Sequence, residues 1–439
     1  MGRKRLSADL WVLMNGEQVG ILGRSATGNL RFIYRQDWLA GENSRPLSLS
    51  MPLTAAPYTG STVQNFFDNL LPDNDKIKHR IQQQVKAEST ESFDLLWHIG
   101  RDCVGAIQLV PDGAEVDVRK VESDLLSEAE IAGTLRHYKV FPLGMDEDDD
   151  FRISIAGAQE KTALLWQVDG WHRPKGTTPT SHIFKLPIGK IDRIRDMSDS
   201  VENEWLCHHI FKAYKIPVAD AEMEQFEDMK ALVVERFDRR WANDRSWLIR
   251  LPQEDFCQAT DIPPHKKYEG DGGPGIKEAM DLLLGSENQQ EDRRVFMKTQ
   301  FLFWLLAAID GHGKNFSIFL LPESNYRLTP MYDIISAHPL IEKGQIVQRR
   351  AKMAMALDGK NRHYHWERIL YRHWFSTAKE CGFPDKEMAG IIEAMLSEMD
   401  EVIDHVSGLL PDNFPAEVAD PIFAGMRNAR DRITASKEE

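Results

Sequence analysis

At 439 residues the chain exceeds what one hydrophobic core can organise, so two or three domains or lobes are expected. Hydrophobic and charged contents of 42% and 28% are those of a soluble globular protein. A net charge of −14 excludes nucleic-acid binding by bulk electrostatics and leaves only a local basic patch for such contacts. Cys103, Cys207, Cys257 and Cys381 are far apart with no CxxC pair, which predicts reduced cytosolic thiols and neither a zinc site nor a disulfide framework. The basic start Met1 to Arg5 is followed only by the apolar run Leu10 to Met14, too short for a signal-peptide core. The longest apolar run, Phe301 to Ile309, falls short of the roughly 20 residues a membrane span needs. A cytoplasmic protein with no membrane partner is expected.

In chain order, Leu10 to Leu22 reads as a β-hairpin, because Asn15-Gly16 between apolar runs tolerates positive φ at both turn positions. A strand follows at Leu30 to Tyr34, and a helical segment at Gln64 to Leu71 that Pro72 interrupts. Cys103 to Val110 reads as a strand closed by Pro111-Asp112-Gly113. Lys120 to Tyr138 has helical spacing, and the acidic run Asp146 to Asp150 marks a solvated, mobile junction. Strands are expected at Thr162 to Val168, at His182 to Leu186 and at Ala231 to Arg236, with a hairpin through Asp169-Gly170 and a helix from Ser200 to Tyr214. Phe296 to Ile309 is apolar nearly all round, as a helix at the centre of a lobe would be, and runs directly into Asp310. Ser317 to Leu321 and Tyr326 to Leu328 flank a turn and form a hairpin ending near Asp333. The apolar spacing from Met388 to Val406 predicts one amphipathic helix, and the tail from Arg430 is expected to fray.

Asp310-Gly311-His312-Gly313-Lys314-Asn315 carries the chemistry, read together with Asp333. Phosphoryl transfer needs a carboxylate to accept the proton of the attacking hydroxyl. It also needs an Asn and a second Asp to hold Mg²⁺ against the nucleotide phosphates. Asp, Gly and Asn are also turn formers, and on these six residues alone a surface turn stays open. Upstream, Ala156-Gly157-Ala158-Gln159-Glu160-Lys161 offers small residues whose amides can approach an anion, although it is neither G-x-G-x-x-G nor a Walker sequence. Lys185 lies inside an apolar strand, where alternation would put a lone lysine on the solvent face. Its position ahead of a helix bearing Glu202 and Glu204, and then of Asp310, follows kinase order. Glu235-Arg236-Phe237 falls where a kinase places its adenine-reading hinge, with an ordinary strand end as the alternative. His312 is either a nucleotide contact or a satisfied loop residue.

These stretches resemble the HipA toxin-kinase family. So do Arg45 to Leu53, Phe66 to Pro72, Ile99 to Asp102, Val234 to Arg240, Asp271 to Gly275 and Tyr332 to Ile335, and the resemblance covers nearly the whole chain. It implies an α+β, bilobal protein-kinase-like fold with a mixed α/β N-terminal lobe and a mainly helical C-terminal lobe. The expected segments are 1–115 (N-terminal region), 116–150 (helical and acidic junction), 151–240 (nucleotide-binding part), 241–385 (helical catalytic lobe) and 386–439 (C-terminal helices and polar tail). The implied activity is serine/threonine protein phosphorylation using ATP and Mg²⁺, with Asp310 as base and Asn315 and Asp333 as metal ligands. Ala156 to Lys161 and Lys185 match phosphate-binding positions; Glu235, Arg236 and Phe237 match the adenine segment; His312, Lys314 and Tyr332 match further nucleotide contacts. Ser154 matches the serine that family members autophosphorylate, which inactivates them by expelling the phosphate loop. About −2 of added charge beside Asp146 to Asp150 would disfavour docking of this segment at an acidic site.

The resemblance further implies a HipB-type antitoxin dimer as partner, operator DNA reached mainly through that dimer, and co-repression of transcription. It also implies glutamyl-tRNA synthetase as protein substrate, with growth arrest and persistence as the outcome. Residues 343–379 carry nine Lys/Arg against only Asp358 and Glu367, either a phosphate-contacting face or a solvated one. Glu380-Cys381-Gly382 departs from the basic pattern at the family's DNA-contacting segment. The alternatives are a small-molecule phosphotransferase and a co-repressor whose nucleotide site is structural.

Overall fold

The computed structural model describes residues 9–114, 116–137, 159 and 161–437. Within it the chain forms two compact units. The first comprises Met1–Leu186, Glu224–His265 and Ser317–Tyr326, and the second Pro187–Met223, Lys266–Phe316 and Arg327–Glu439.

The first unit begins with the expected hairpin. Strands Asp9–Met14 and Glu17–Arg24 pair antiparallel, and the turn residues Asn15 and Gly16 take φ of 49° and 85°. The Asn15 amide then bonds both backbone groups of Arg250, at 2.8 and 2.9 Å, so the turn also braces a distant strand. The sheet runs in the order Tyr58–Thr59, Leu30–Tyr34, Glu17–Arg24, Asp9–Met14, Ile107–Pro111. Its buried face packs Leu10, Val12 and Phe32 against Phe66 and Phe67 of helix Ser61–Asp68 and against Leu95 and Leu96 of helix Ser92–Ile99. The strand expected from Cys103 starts only at Ile107. Upstream of it, the backbone groups Gly105 N–H and Cys103 C=O are drawn to Asp238, Arg236 and Arg239 instead of to a ladder.

A second sheet runs in the order Ala221–Phe226, Met229–Glu235, His182–Lys185, Lys161–Gln167, Gly170–Pro174, Ser123–Leu125. Leu164, Phe184 and Val233 of this sheet share a core with Leu126, Ile131 and Leu135. The helix expected over 120–138 is shorter, Glu128–His137, and an edge strand, Ser123–Leu125, precedes it. Ser127 and Glu130 close a reciprocal capping box that starts the helix here: Ser127 N–H donates to Glu130 Oε2 at 2.8 Å, and Glu130 N–H to Ser127 Oγ at 3.3 Å.

The second unit is mainly helical. Its central helix is Gln289–Leu305, with Phe301, Leu302 and Trp304 fully buried. Trp304 and Trp366 exchange indole N–H to carbonyl bonds of 3.1 and 2.7 Å, which satisfies both indole donors inside the core. The helix expected to reach Ile309 ends at Leu305. Ala307 turns left-handed at φ 47°, Ala308 N–H returns to Phe303 C=O (2.8 Å) and Ala307 N–H to Trp304 C=O (3.1 Å), a Schellman closure with alanine where glycine is usual. The single helix expected over 388–406 is two, Asp385–Ser397 and Met399–Ser407, whose apolar stripes stay in phase across the break. The tail expected to fray is helical as far as Ala435, with Ile433 fully buried. Among the described residues no helix is long and apolar enough to cross a membrane.

Candidate active site

The second unit builds the Asp310 loop. After the Schellman turn the chain exposes Asp310, then closes a 3-10 turn over Gly313–Asn315 in which His312, Lys314 and Asn315 are buried. Gly311 is required here, because a Cβ would stand 2.3 Å from the Phe303 ring. The Asn315 side chain ties the loop together: its Nδ2 donates to the Asp310 carbonyl at 3.0 Å and to the Asp333 carbonyl at 3.4 Å. With the amide nitrogen so committed, the chemistry that Oδ1 can offer is that of an acceptor.

Asp333 adopts φ 60°, the left-handed region that Asp tolerates but that stores strain in a non-glycine residue. Its segment is anchored on both sides. Met331 N–H donates to Pro217 C=O (2.8 Å), and Ala219 N–H to Met331 C=O (2.9 Å). Ser336 exchanges bonds of 2.8 and 2.9 Å with the Asn203 side chain and donates its hydroxyl to Leu306 C=O at 2.6 Å. Tyr332 Oη donates to Lys314 C=O at 2.8 Å. The structure therefore brings Asp310, Asn315 and Asp333 together, with His312, Lys314 and Tyr332 in the same loop system.

In the first unit, strands Lys161–Gln167 and His182–Lys185 place Lys161 directly opposite Lys185. Cross-strand partners leave the same face of a sheet. Neither lysine takes the solvent face that alternation alone would assign, for only 9% of Lys161 and 6% of Lys185 is exposed. Gln159 donates to Leu186 C=O at 2.8 Å beside them. Ser154, Ala156, Gly157, Ala158 and Glu160 lie outside the described residues.

The Glu235 to Phe237 segment ends strand Met229–Glu235. Glu235 is exposed, and Phe237 packs edge-on to Phe319 with centroids 5.8 Å apart. Arg236 turns its side chain into the interior. Its N–H donates to Ser181 C=O at 2.9 Å, and its guanidinium is buried against Asp238 (2.8 and 2.9 Å), Asp102 (3.3 Å), Thr180 (2.8 Å) and Cys103 C=O (2.9 Å). The reason is charge balance. Asp102 is 1% exposed and also accepts from Arg239 (2.9 Å) and Arg250 (3.2 Å). Burial works against its ionisation, but Arg239, Arg236 and Arg250 outweigh it and hold the carboxyl well below the usual carboxylate range.

Two parts of this arrangement escaped the sequence reading. Asp102 stood in a quoted motif without a role; the signal was the dense Arg236-x-Asp238-Arg239 spacing, which needs buried counter-charges. Tyr268 was not singled out at all, yet its hydroxyl donates to Asp310 Oδ1, and no local pattern announces a contact across that sequence distance.

A HipA-like C-terminal domain model matches residues 153–403, and a HipA N-terminal domain model matches residues 10–110. The chain is 29% identical over 416 residues to Y4mE of Sinorhizobium fredii, a protein named as a proposed kinase, covering 92% of this chain and 93% of that one. It is 30% identical over 355 residues to the serine/threonine-protein kinase toxin HipA of Shewanella oneidensis, covering 77% of this chain and 76% of the relative. Among solved structures, a chain from the Shewanella oneidensis MR-1 complex of HipA, HipB and operator DNA matches with a TM-score of 0.81 at 24% identity, over 98% of both chains. The fold is thus α+β and protein-kinase-like. The chain belongs to the HipA family of serine/threonine-protein kinase toxins.

Proposed function

We propose that this chain is a toxin kinase that transfers the γ-phosphoryl group of ATP to a protein serine, with Asp310 as the base. The observation that carries this reading is the Asn315 amide, fastened to the carbonyls of both Asp310 and Asp333, so that one side chain sets the spacing of base and metal ligands. The donor set fits Mg²⁺: the Asp333 carboxylate and the Asn315 amide oxygen would hold it, both the hard oxygen donors that this ion takes. Bound Mg²⁺ and ATP supply the phosphoryl group and neutralise charge on its oxygens.

The residues of this chain do the rest. Asp310 accepts the proton of the serine hydroxyl at its carboxylate. Lys161 and Lys185, opposite each other on neighbouring strands and on one face of the sheet, take the phosphates. Main-chain groups of Glu235 and Phe237 read the adenine edge, while Arg236 braces that segment from inside. His312, Lys314 and Tyr332 line the nucleotide, and residues Ala156 to Lys161 contribute to phosphate binding. Phosphate on Ser154 turns the enzyme off. A HipB-type antitoxin dimer binds the chain and carries it to operator DNA, where the pair co-represses. The protein substrate is an aminoacyl-tRNA synthetase of the glutamyl type, and its modification halts translation and promotes persistence.

The test is expression in cells with and without the antitoxin. Asp310→Asn should bind ATP yet lose toxicity. A variant that remains toxic would remove the base from Asp310 and leave co-repression, with a structural nucleotide site, as the better reading.

A further inference from the structure

We infer that Tyr268 is a positioning residue for Asp310, fixing which carboxylate oxygen meets the acceptor hydroxyl; this rests on the reading of Asp310 as the base. A carboxylate turns broadly about χ2, so an exposed catalytic aspartate needs something to hold its plane. Within the second unit, the Tyr268 hydroxyl donates to Asp310 Oδ1, which leaves Oδ2 for the incoming serine. A phenol suits the task because its hydroxyl rides on a rigid ring with few rotamers. Here the ring stands edge-on to His312, with centroids 5.0 Å apart at 84°.

The backbone beneath that ring is pinned. Gly313 N–H donates to Lys267 C=O at 3.1 Å, which ties the tyrosine segment to the Asp310 loop itself. Tyr268 C=O accepts from Asp271 N–H (3.0 Å) and Gly273 N–H (2.9 Å) and closes the turn that follows. Gly273 must be glycine, because a Cβ there would meet the Lys266 carbonyl at 2.2 Å. The next residue, Glu269, accepts from Ala356 N–H at 2.6 Å and from Arg362 at 2.8 Å, fastening the turn to strand Lys352–Leu357. The tyrosine is thus held from three sides with its hydroxyl aimed at the base. An O–H to carboxylate bond is among the stronger hydrogen bonds, and losing an orienting contact of this kind lowers turnover where it leaves ligand binding alone.

The test uses the full chain, freed of phosphate with a phosphatase and then given Mg-ATP. Phosphate incorporation is followed by mass spectrometry, and ATP affinity is measured separately by calorimetry. Tyr268→Phe should slow transfer about tenfold to a hundredfold, the range for one hydrogen bond to a charged group, with ATP affinity within about twofold of the parent. Tyr268→Ala should slow it at least as much. If Tyr268→Phe transfers at the parental rate while Tyr268→Ala does not, the ring merely packs on His312 and the inference fails. A faster Tyr268→Phe also overturns it, for then the phenol competes with the acceptor. Asp310→Asn separates the two claims: transfer at the parental rate in that variant sinks the base assignment itself, whereas a dead Asp310→Asn beside a fully active Tyr268→Phe sinks only the role of the tyrosine.

Discussion

Replacing Asp102 with Asn tests how the adenine segment is held. The buried cluster contains three cations, Arg236, Arg239 and Arg250, and two anions, Asp102 and Asp238, so its formal charge is +1 (three minus two). Asn at 102 keeps the shape and raises that charge to +2 in a site where Asp102 is 1% exposed. It also presents an amide N–H₂ to a pocket already filled with donors, among them Thr180 N–H at 3.1 Å and Thr180 Oγ1 at 2.7 Å. Breaking a buried pair by removing one partner costs about 3–5 kcal/mol, because the remaining charges stay desolvated. With urea m-values of about 1–3 kcal/mol/M, the urea midpoint should fall by roughly 1–5 M at unchanged slope. Because Arg236 sits between Glu235 and Phe237, ATP affinity should fall with it. A midpoint shift corresponding to less than about 1 kcal/mol, the level of a surface pair, would refute the reasoning.

Other substitutions probe separate parts. Asn315→Ala should raise the Mg²⁺ concentration needed for half-maximal transfer at least about tenfold, read from a metal titration; an unchanged requirement would remove Asn315 from the ligand set. Gly425→Ala should destabilise by about 1–3 kcal/mol in urea unfolding. The usual helix gain of about 1 kcal/mol is outweighed because the new Cβ would stand 2.3 Å from the His338 ring, and a stabilised variant would contradict this. Burial holds the His338 imidazole down at about 4 while Nε2 bonds Leu305 C=O at 3.0 Å. Below about 6.5 the unfolded chain therefore takes up a proton that the fold refuses, so stability falls between pH 6.5 and 4, by up to about 1.4 kcal/mol per unit. His338→Asn should flatten that part of the pH–stability curve relative to the parent, and an identical slope would count against a neutral buried His338.

The features legible in the sequence were those with a local cause. Asn15-Gly16 dictated its hairpin, apolar runs placed the strands at Leu30 and, one residue late, at Thr162, and the spacing of Asp310, Asn315 and Asp333 marked the loop that the structure assembles. What stayed hidden depends on distant partners. Ala307 gave no sign of ending a helix, because the left-handed closure there is enforced by Ser336 and Ala337 bonding to Leu306 and Ala307. The break at Glu398 falls between two stripes in the same phase, with no Gly or Pro to announce it. Pro421 and a polar outer face disguised the final helix, whose buried side is Val418, Ile422, Met426 and Ile433. The inward course of the Arg236 side chain stayed hidden because nothing nearby in sequence discloses Asp102.

The most direct single measurement is mass spectrometry of the phosphatase-treated protein after incubation with Mg-ATP in a cell lysate, beside Asp310→Asn. Phosphate should appear on Ser154 and on a lysate protein with the parent chain, and on neither with the variant. Absence of phosphate from both with the parent chain would contradict a kinase built on Asp310, Asn315 and Asp333.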